Sequence, residues 1–268
     1  MLVRRLATEP TRADLTSYPD CVHLTLQSLK PSADDDGAGD PVRRTIDIVA
    51  GRDWVVTVHD GPLRAFERMD AATEGETVLG ALDAAGFMAA IADEVLTDYL
   101  ELVEGMEREI DRLDEVALRR RQRSDVLAAI VALRRRIGII RRTLAPHRVA
   151  FAALGRPDME LHQELGQPWP GLTERLERAL ESVENLRELL LGTFDIHMGR
   201  AAQDANEVMK VLTLLSAVLL PAVVLAGVMG MNFQVPFFEN PDDFWIVIAA
   251  MVAFSGVILG VARWRGWI

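Results

Sequence analysis

Val211–Val228 reads VLTLLSAVLLPAVVLAGV and contains no charged side chain. Phe244–Ala262, FWIVIAAMVAFSGVILGVA, is likewise uncharged. Wound as a helix at about 1.5 Å per residue, each stretch reaches ~27 Å, close to the ~30 Å hydrocarbon core of a bilayer. The competing reading is a pair of core helices in a soluble protein, but such helices are usually shorter and keep a polar face. The stretches are therefore read as two membrane spans, 207–230 and 244–262, joined by an outer loop, 231–243.

The flanks set the expected orientation. Lys210 precedes the first uncharged stretch, and Arg263 and Arg265 follow the second, whereas the loop carries Glu239, Asp242 and Asp243 and no base. Positive charge favours the cytoplasmic side, so both termini are expected inside an inner (cell) membrane and the loop outside. Trp245, Trp264 and Trp267 sit near span ends, where interfacial aromatics belong. The opening residues, MLVRRLATEPTRADL, lack the long apolar stretch of a signal peptide. Cys21 is the single cysteine, which excludes an intrachain disulfide; it is expected to be a small buried residue on a strand.

The chain carries a net charge of −11, nearly all of it before the spans. Residues 1–75 read as a strand-rich region: CVHLTLQSL (Cys21–Leu29), RTIDIV (Arg44–Val49) and WVVTVH (Trp54–His59) are β-branched and partly alternating. KPSADDDGAGDP (Lys30–Pro41) is a loop, and AGRD (Ala50–Asp53) a tight turn. Residues 76–170 read as helical. Val95–Leu118 repeats Leu96, Tyr99, Leu100, Val103, Met106, Ile110 and Leu113 at steps of three and four, and Asp125–Leu154 continues the pattern. The arginine clusters at 119–123 and 134–142 are expected to pair with acids such as Glu101, Glu107, Glu109 and Asp111. They do not signal nucleic acid, because the chain is acidic and no stacking aromatics are interleaved. After GQPWPG (Gly166–Gly171) no proline occurs until Pro221. One stalk helix, 171–206, should therefore run straight into the first span.

NEVMKVLTLLSAVLLP (Asn206–Pro221) followed by GMNF (Gly230–Phe233) resembles the CorA family of divalent-cation channels. The likeness extends back through WVVTVHDGPL (Trp54–Leu63) and LRRRIGIIRRTLAPHR (Leu133–Arg148), and covers most of the chain from about Cys21. It implies a homopentameric channel. Each subunit would have an α+β cytoplasmic domain (a small mixed sheet plus helices) joined by the long stalk helix to the two transmembrane helices, the first of which lines a central pore.

Asn206, Met209, Leu212, Ser216, Leu220, Val223 and Gly227 follow one another at steps of three or four and form one helix stripe. By itself such a stripe is more often core packing than a pore face; the resemblance reverses that reading and implies that it faces the pore. Five copies of Asn206 would then ring the inner end with amides, and Met209 and Leu212 would form apolar rings able to gate by dewetting. Gly230, Met231 and Asn232 match the family's selectivity filter. Mg2+ dehydrates reluctantly, so a ring of neutral amides at Asn232 can hydrogen-bond its hydration waters without stripping them, while Glu239, Asp242 and Asp243 raise the local cation concentration.

Several positions depart from the family pattern. Fewer elements precede Cys21 than is usual, Val223 stands where a hydroxyl is frequent, and only two arginines follow the second span. The stalk position that matches the family's regulatory Mg2+ site falls near Gly171 and Leu172, which carry no carboxylate. Glu174, Asp195 and Asp34, Asp35 and Asp36 are the candidates for a regulatory metal, each with a solvated helix or loop surface as its plainer role. The expected cargo is Mg2+, with Co2+ or Ni2+ also admitted; Mg2+ is both transported and regulatory, and there is no organic cofactor. The expected partners are divalent cations, the lipid bilayer and further copies of the chain. A zinc transporter of the ZntB type is the alternative within the superfamily, and a non-conducting membrane-anchored helical scaffold the alternative outside it. No phosphate loop or nucleophile elbow is present and the five histidines lack metal-ligand spacing, so an enzyme is not expected.

Overall fold

The computed structural model describes residues 12–31, 39–73, 82–118, 123–154, 169–231 and 241–267. The chain divides into two compact units, Met1–Ile196 and His197–Ile268. The first opens with four strands, β1 (Asp14–Ser17), β2 (Val22–Lys30), β3 (Val42–Ala50) and β4 (Val55–His59). They pair in chain order, and every pairing is antiparallel. Among the described residues the sheet is therefore antiparallel throughout, which corrects the mixed sheet expected from the resemblance. Short turns join β1 to β2 and β3 to β4: the Tyr18 N–H donates to Cys21 O and the Gly51 N–H to Trp54 O, both at 2.9 Å. Such turns reverse the chain, whereas parallel neighbours need a crossover of a dozen or more residues. Gly51 is set by its neighbour, since a Cβ there would meet the Trp54 indole at 2.5 Å. Cys21 is half-buried and precedes β2 rather than lying on it.

The helices of this unit are α1 (Arg64–Thr73), α2 (Ala84–Leu118), α3 (Arg123–Leu144), α4 (His147–Leu154) and the first part of α5 (Trp169–Met229). Helix α1 lies in what the sequence suggested was strand-rich. The pattern read across Asp125–Leu154 is two helices, because Pro146 has no N–H and its ring clashes with the preceding turn. Helix α5 starts at Trp169, two residues before Gly171, since Pro170 in a first turn forfeits no hydrogen bond.

Three helices share one packing rhythm. Met88, Ala92, Val95, Tyr99, Val103, Met106 and Ile110 of α2 are buried, as are Val126, Ile130, Leu133, Ile137, Ile140 and Leu144 of α3 and Leu172, Leu176, Ala179, Val183, Leu186 and Leu190 of α5. Steps of three and four keep these side chains on one face of each helix, and they join a single core with Leu24, Leu26, Ile46 and Ile48 of the sheet. Ion pairs flank it. Arg175 of α5 donates to Asp93 at 2.9 Å and to Thr97 at 2.8 Å on α2, Arg141 of α3 meets Glu184 of α5 at 2.7 Å, and Arg136 meets Glu109. Part of the expected arginine pairing is therefore present, but Glu101 meets Arg64 and Arg68 of α1 instead.

Side chains complete the edge of β2 beyond the reach of β1. Strand β1 pairs only as far as Thr25. At Gln27 the backbone N–H donates to His147 Nε2 at 3.1 Å, and the Tyr99 hydroxyl donates to Gln27 O at 2.8 Å. Because Nε2 accepts, the imidazole proton sits on Nδ1 and is donated to Leu144 O at 3.0 Å. Burial lowers the His147 pKa from 6.5 to about 4, against the hydrogen bonds from backbone groups around it. The folded state thus holds the neutral ring. The stability this contributes is fully present above pH ~6.5 and is lost as pH falls towards ~4. His147→Phe should cost about 1–3 kcal/mol by leaving the buried Gln27 N–H unpaired. It should also flatten the pH dependence across that window, as read by chemical denaturation of wild type and variant at several pH values.

Candidate functional site

The second unit contains the remainder of α5, which continues through Pro221 to Met229, and α6 (Pro241–Trp264). Both helices are long and apolar enough to cross a membrane, and none of either apolar window is buried by the protein. A protein in water would leave that surface wetted at a large hydrophobic cost, so hydrocarbon is its natural solvent.

All seven stripe residues are exposed: Asn206, Met209, Leu212, Ser216, Leu220, Val223 and Gly227. The sheltered residues on this part of α5 are others, recurring at Lys210, Leu214, Val218, Pro221, Ala222, Leu225 and Met229. At about 100° per residue the stripe fills an arc of roughly 120°, and the sheltered set is centred close to diametrically opposite it. Helix α6 repeats the pattern, with Val247, Met251, Ser255, Ile258 and Ala262 as its least exposed face. The candidate pore face of α5 is thus the face turned away from its own sheltered side.

The Gly-Met-Asn motif begins where α5 ends. The Gly230 N–H makes a last helical bond to Ala226 O at 2.9 Å, and the Met231 N–H closes a three-residue turn with a bond to Val228 O at 3.2 Å. A Cβ added at Gly230 would stand 3.3 Å from the Ala226 carbonyl oxygen, while one at Gly227 would meet nothing within 4 Å. Asn232 and Glu239 lie outside the described residues; Asp242 and Asp243 belong to the first turn of α6.

The regulatory candidates separate. Glu174 and Asp195 are exposed on α5, and Glu174 accepts from Arg178 one turn on at 3.4 Å. Asp34, Asp35 and Asp36 lie outside the described residues. Twenty-one positions of helix put Glu174 and Asp195 ~31 Å apart, too far to share an ion within one chain. Glu181 and Glu188, which the sequence reading passed over, fall between them at seven-residue intervals and are also exposed. The four acids form a line opposite the buried face of α5; the interval of seven was the signal available in the sequence. Among the described residues, no group of three His, Cys, Asp or Glu side chains could hold a metal ion.

A second charged cluster occupies the space between α1, α2 and β2. Arg68 donates through Nε to Glu94 at 2.5 Å and through Nη2 to Asp98 at 2.8 Å, and the Ser28 hydroxyl donates to the other Asp98 oxygen at 3.0 Å. Burial pushes the Asp98 carboxyl upward, against these hydrogen bonds, which pull it down. Both oxygens are occupied by protein donors, so the cluster is a structural tie.

The cobalt/magnesium transport protein CorA of Thermotoga maritima is 26% identical over 181 residues, 67% of this chain and 51% of that protein. The divalent cation transporter CmaX of Pseudomonas aeruginosa is 26% identical over 265 residues, 98% of this chain and 75% of that protein. The match thus spans about half the length of the Thermotoga protein. Among solved structures, the complete CorA magnesium transporter of Methanocaldococcus jannaschii superposes with a TM-score of 0.80 at 19% identity, covering 100% of this chain and 86% of that one, which shows the shared fold. The profile described as CorA-like Mg2+ transporter protein matches residues 2–262, through both units and both apolar helices, and the chain therefore belongs to the CorA family.

Proposed function

We propose that the chain is one subunit of a homopentameric channel for divalent cations, chiefly hydrated Mg2+, in which the exposed α5 stripe faces the axis. The observation that carries this reading is the opposition of two faces on one helix. Helix α5 keeps its sheltered side away from Asn206, Met209, Leu212, Ser216, Leu220, Val223 and Gly227, leaving them for copies of the chain to enclose. Along this stripe Asn206 and Ser216 are the polar members and none is charged. A hydrated divalent cation meets acceptors that bond its waters without holding the metal itself, which suits an ion that releases water slowly. Gly230, Met231 and Asn232 form the outer filter in this reading, with Asn232 the amide that orders incoming waters.

The face assignment is tested by cysteine scanning in a Cys21→Ser background. Cysteines at Met209, Ser216 and Val223 should react with an aqueous thiol reagent far faster than cysteines at Leu214, Val218 and Leu225. The opposite ranking would turn the pore face around.

The filter is tested by flux into liposomes loaded with a divalent-cation dye. Asn232→Ala should reduce Mg2+ entry about a hundredfold or more, since five hydrogen bonds of about 0.5–1.5 kcal/mol each are lost together. Native mass spectrometry should show the same five-chain assembly for variant and wild type. Undiminished entry through an intact pentamer would remove Asn232 from the filter; parallel runs with Co2+, Ni2+ and Zn2+ rank the cargo.

Closure by cytoplasmic Mg2+ belongs to the same proposal. Their separation along α5 keeps Glu174 and Asp195 of one chain from sharing an ion, so in this reading each works with carboxylates of another subunit. Glu174→Gln with Asp195→Asn should then shift half-inhibition of flux to higher internal Mg2+. An unchanged inhibition curve would place the sensor elsewhere.

A further inference from the structure

Helix α6 ends in a turn whose hydrogen bonds are complete. Gly266 has a left-handed φ of 69°, its N–H donates to Arg263 O at 3.0 Å, and the Trp267 N–H donates to Ala262 O at 2.8 Å. These are the paired closures of a Schellman motif, which needs glycine at its left-handed position. Two carbonyls at the negative end of the helix are thereby already bonded. Within the same turn stand Arg263, Trp264, Arg265 and Trp267. Trp264 is 88% exposed and Trp267 46%, although both are large aromatic side chains. Both arginines are exposed as well. No acid occurs between Phe244 and Trp267, while the sequence just before that stretch has Glu239, Asp242 and Asp243 and no base. The charge is therefore polarised along the helix, and two exposed indoles stand in the same turn as its positive end.

An indole has an apolar body and one N–H, and it settles where hydrocarbon gives way to headgroups. A guanidinium presents paired donors that match two oxygens of a phosphate. We propose that this turn is a docking site for the phosphate of an anionic phospholipid, with Arg263 and Arg265 taking the phosphate and Trp264 and Trp267 fixing the depth. The proposal rests on reading α6 as a membrane span whose arginine end meets the cytoplasmic leaflet. The capped carbonyls matter because free ones would repel the same phosphate. At the other end of α6 the acids disfavour such a lipid, so the site selects one leaflet.

The test uses the full chain in phosphatidylcholine vesicles that carry an equal fraction of either brominated phosphatidylcholine or brominated phosphatidylglycerol, which quench nearby tryptophan. Phosphatidylglycerol should quench more, reflecting local enrichment of about fivefold per arginine. Arg263→Gln with Arg265→Gln should abolish the excess, and Arg263→Lys with Arg265→Lys should keep most of it. Trp264→Phe with Trp267→Phe should leave Trp245, at the acidic end of α6, quenched equally by the two lipids; an excess that persists there overturns the placement of the site. Equal quenching by the two lipids, or an excess untouched by the glutamine variant, overturns the proposal. Mg2+ flux measured in the same vesicles separates the two readings. Flux with equal quenching sinks the lipid site alone, excess quenching without flux sinks the channel alone, and no quenching by either lipid sinks both.

Discussion

A backbone in hydrocarbon can send its N–H and C=O groups nowhere except along its own helix. That constraint shapes α5, which stays helical from Trp169 to Met229 in spite of a proline at 221. The same helix obeys two different solvents. Up to Leu190 it buries Leu172, Leu176, Ala179, Val183 and Leu186 in a protein core and leaves glutamates in water. Beyond Val208 it carries valines and leucines on nearly every side, because hydrocarbon and protein are equally good neighbours for them. What distinguishes one face from another in the second regime is residue size and the occasional polar atom.

This difference explains what the sequence could reveal. The spans were legible, since uncharged runs of this length have few other uses. The stripe ending at Gly227 was legible as a helix face, but its surroundings were not: in the span, period alone cannot separate a lipid face, a helix contact and a pore face. The sheltered positions Leu214, Val218 and Leu225 supplied the missing reference direction. In the first unit, β2, β3 and β4 announced themselves by branched residues and a Gly-containing turn. Strand β1 was missed because Asp14–Ser17 is four residues long with a single large apolar side chain. Helix α1 was missed for a related reason, its Glu67, Arg68, Asp70 and Thr73 masking a sparse apolar face. The antiparallel pairing of β1 with β2 and of β3 with β4 followed from their short turns rather than from any strand's composition.

The first unit is also tied by polar groups that no periodicity reveals. Arg68, Asp98 and Ser28 are distant in sequence and meet between α1, α2 and β2. His147 and Tyr99 satisfy a strand edge that β1 is too short to reach. Pieces of this kind repair what local structure leaves open: a buried N–H or carboxylate must find a partner, and the partner comes from wherever the fold brings one. Their residue types were visible in the sequence, but their pairing was a property of the assembled layers.

The distribution of oxygen chemistry along α5 gives the proposed channel an internal logic. Carboxylates occur at Glu174, Glu181, Glu188 and Asp195, in the part of the helix that is in water, where screening weakens each charge. From Asn206 onward the stripe offers an amide, a hydroxyl and apolar surface, and no charge. In a low-dielectric span a ring of five carboxylates would gain strongly from a bound divalent cation and release it slowly. Neutral oxygen in the same place binds less and lets go sooner. The helix therefore keeps its strongest cation ligands where water can compete with them and its weakest where water is scarce. Conduction requires that order, because an ion that is stripped and held at mid-membrane blocks the next one.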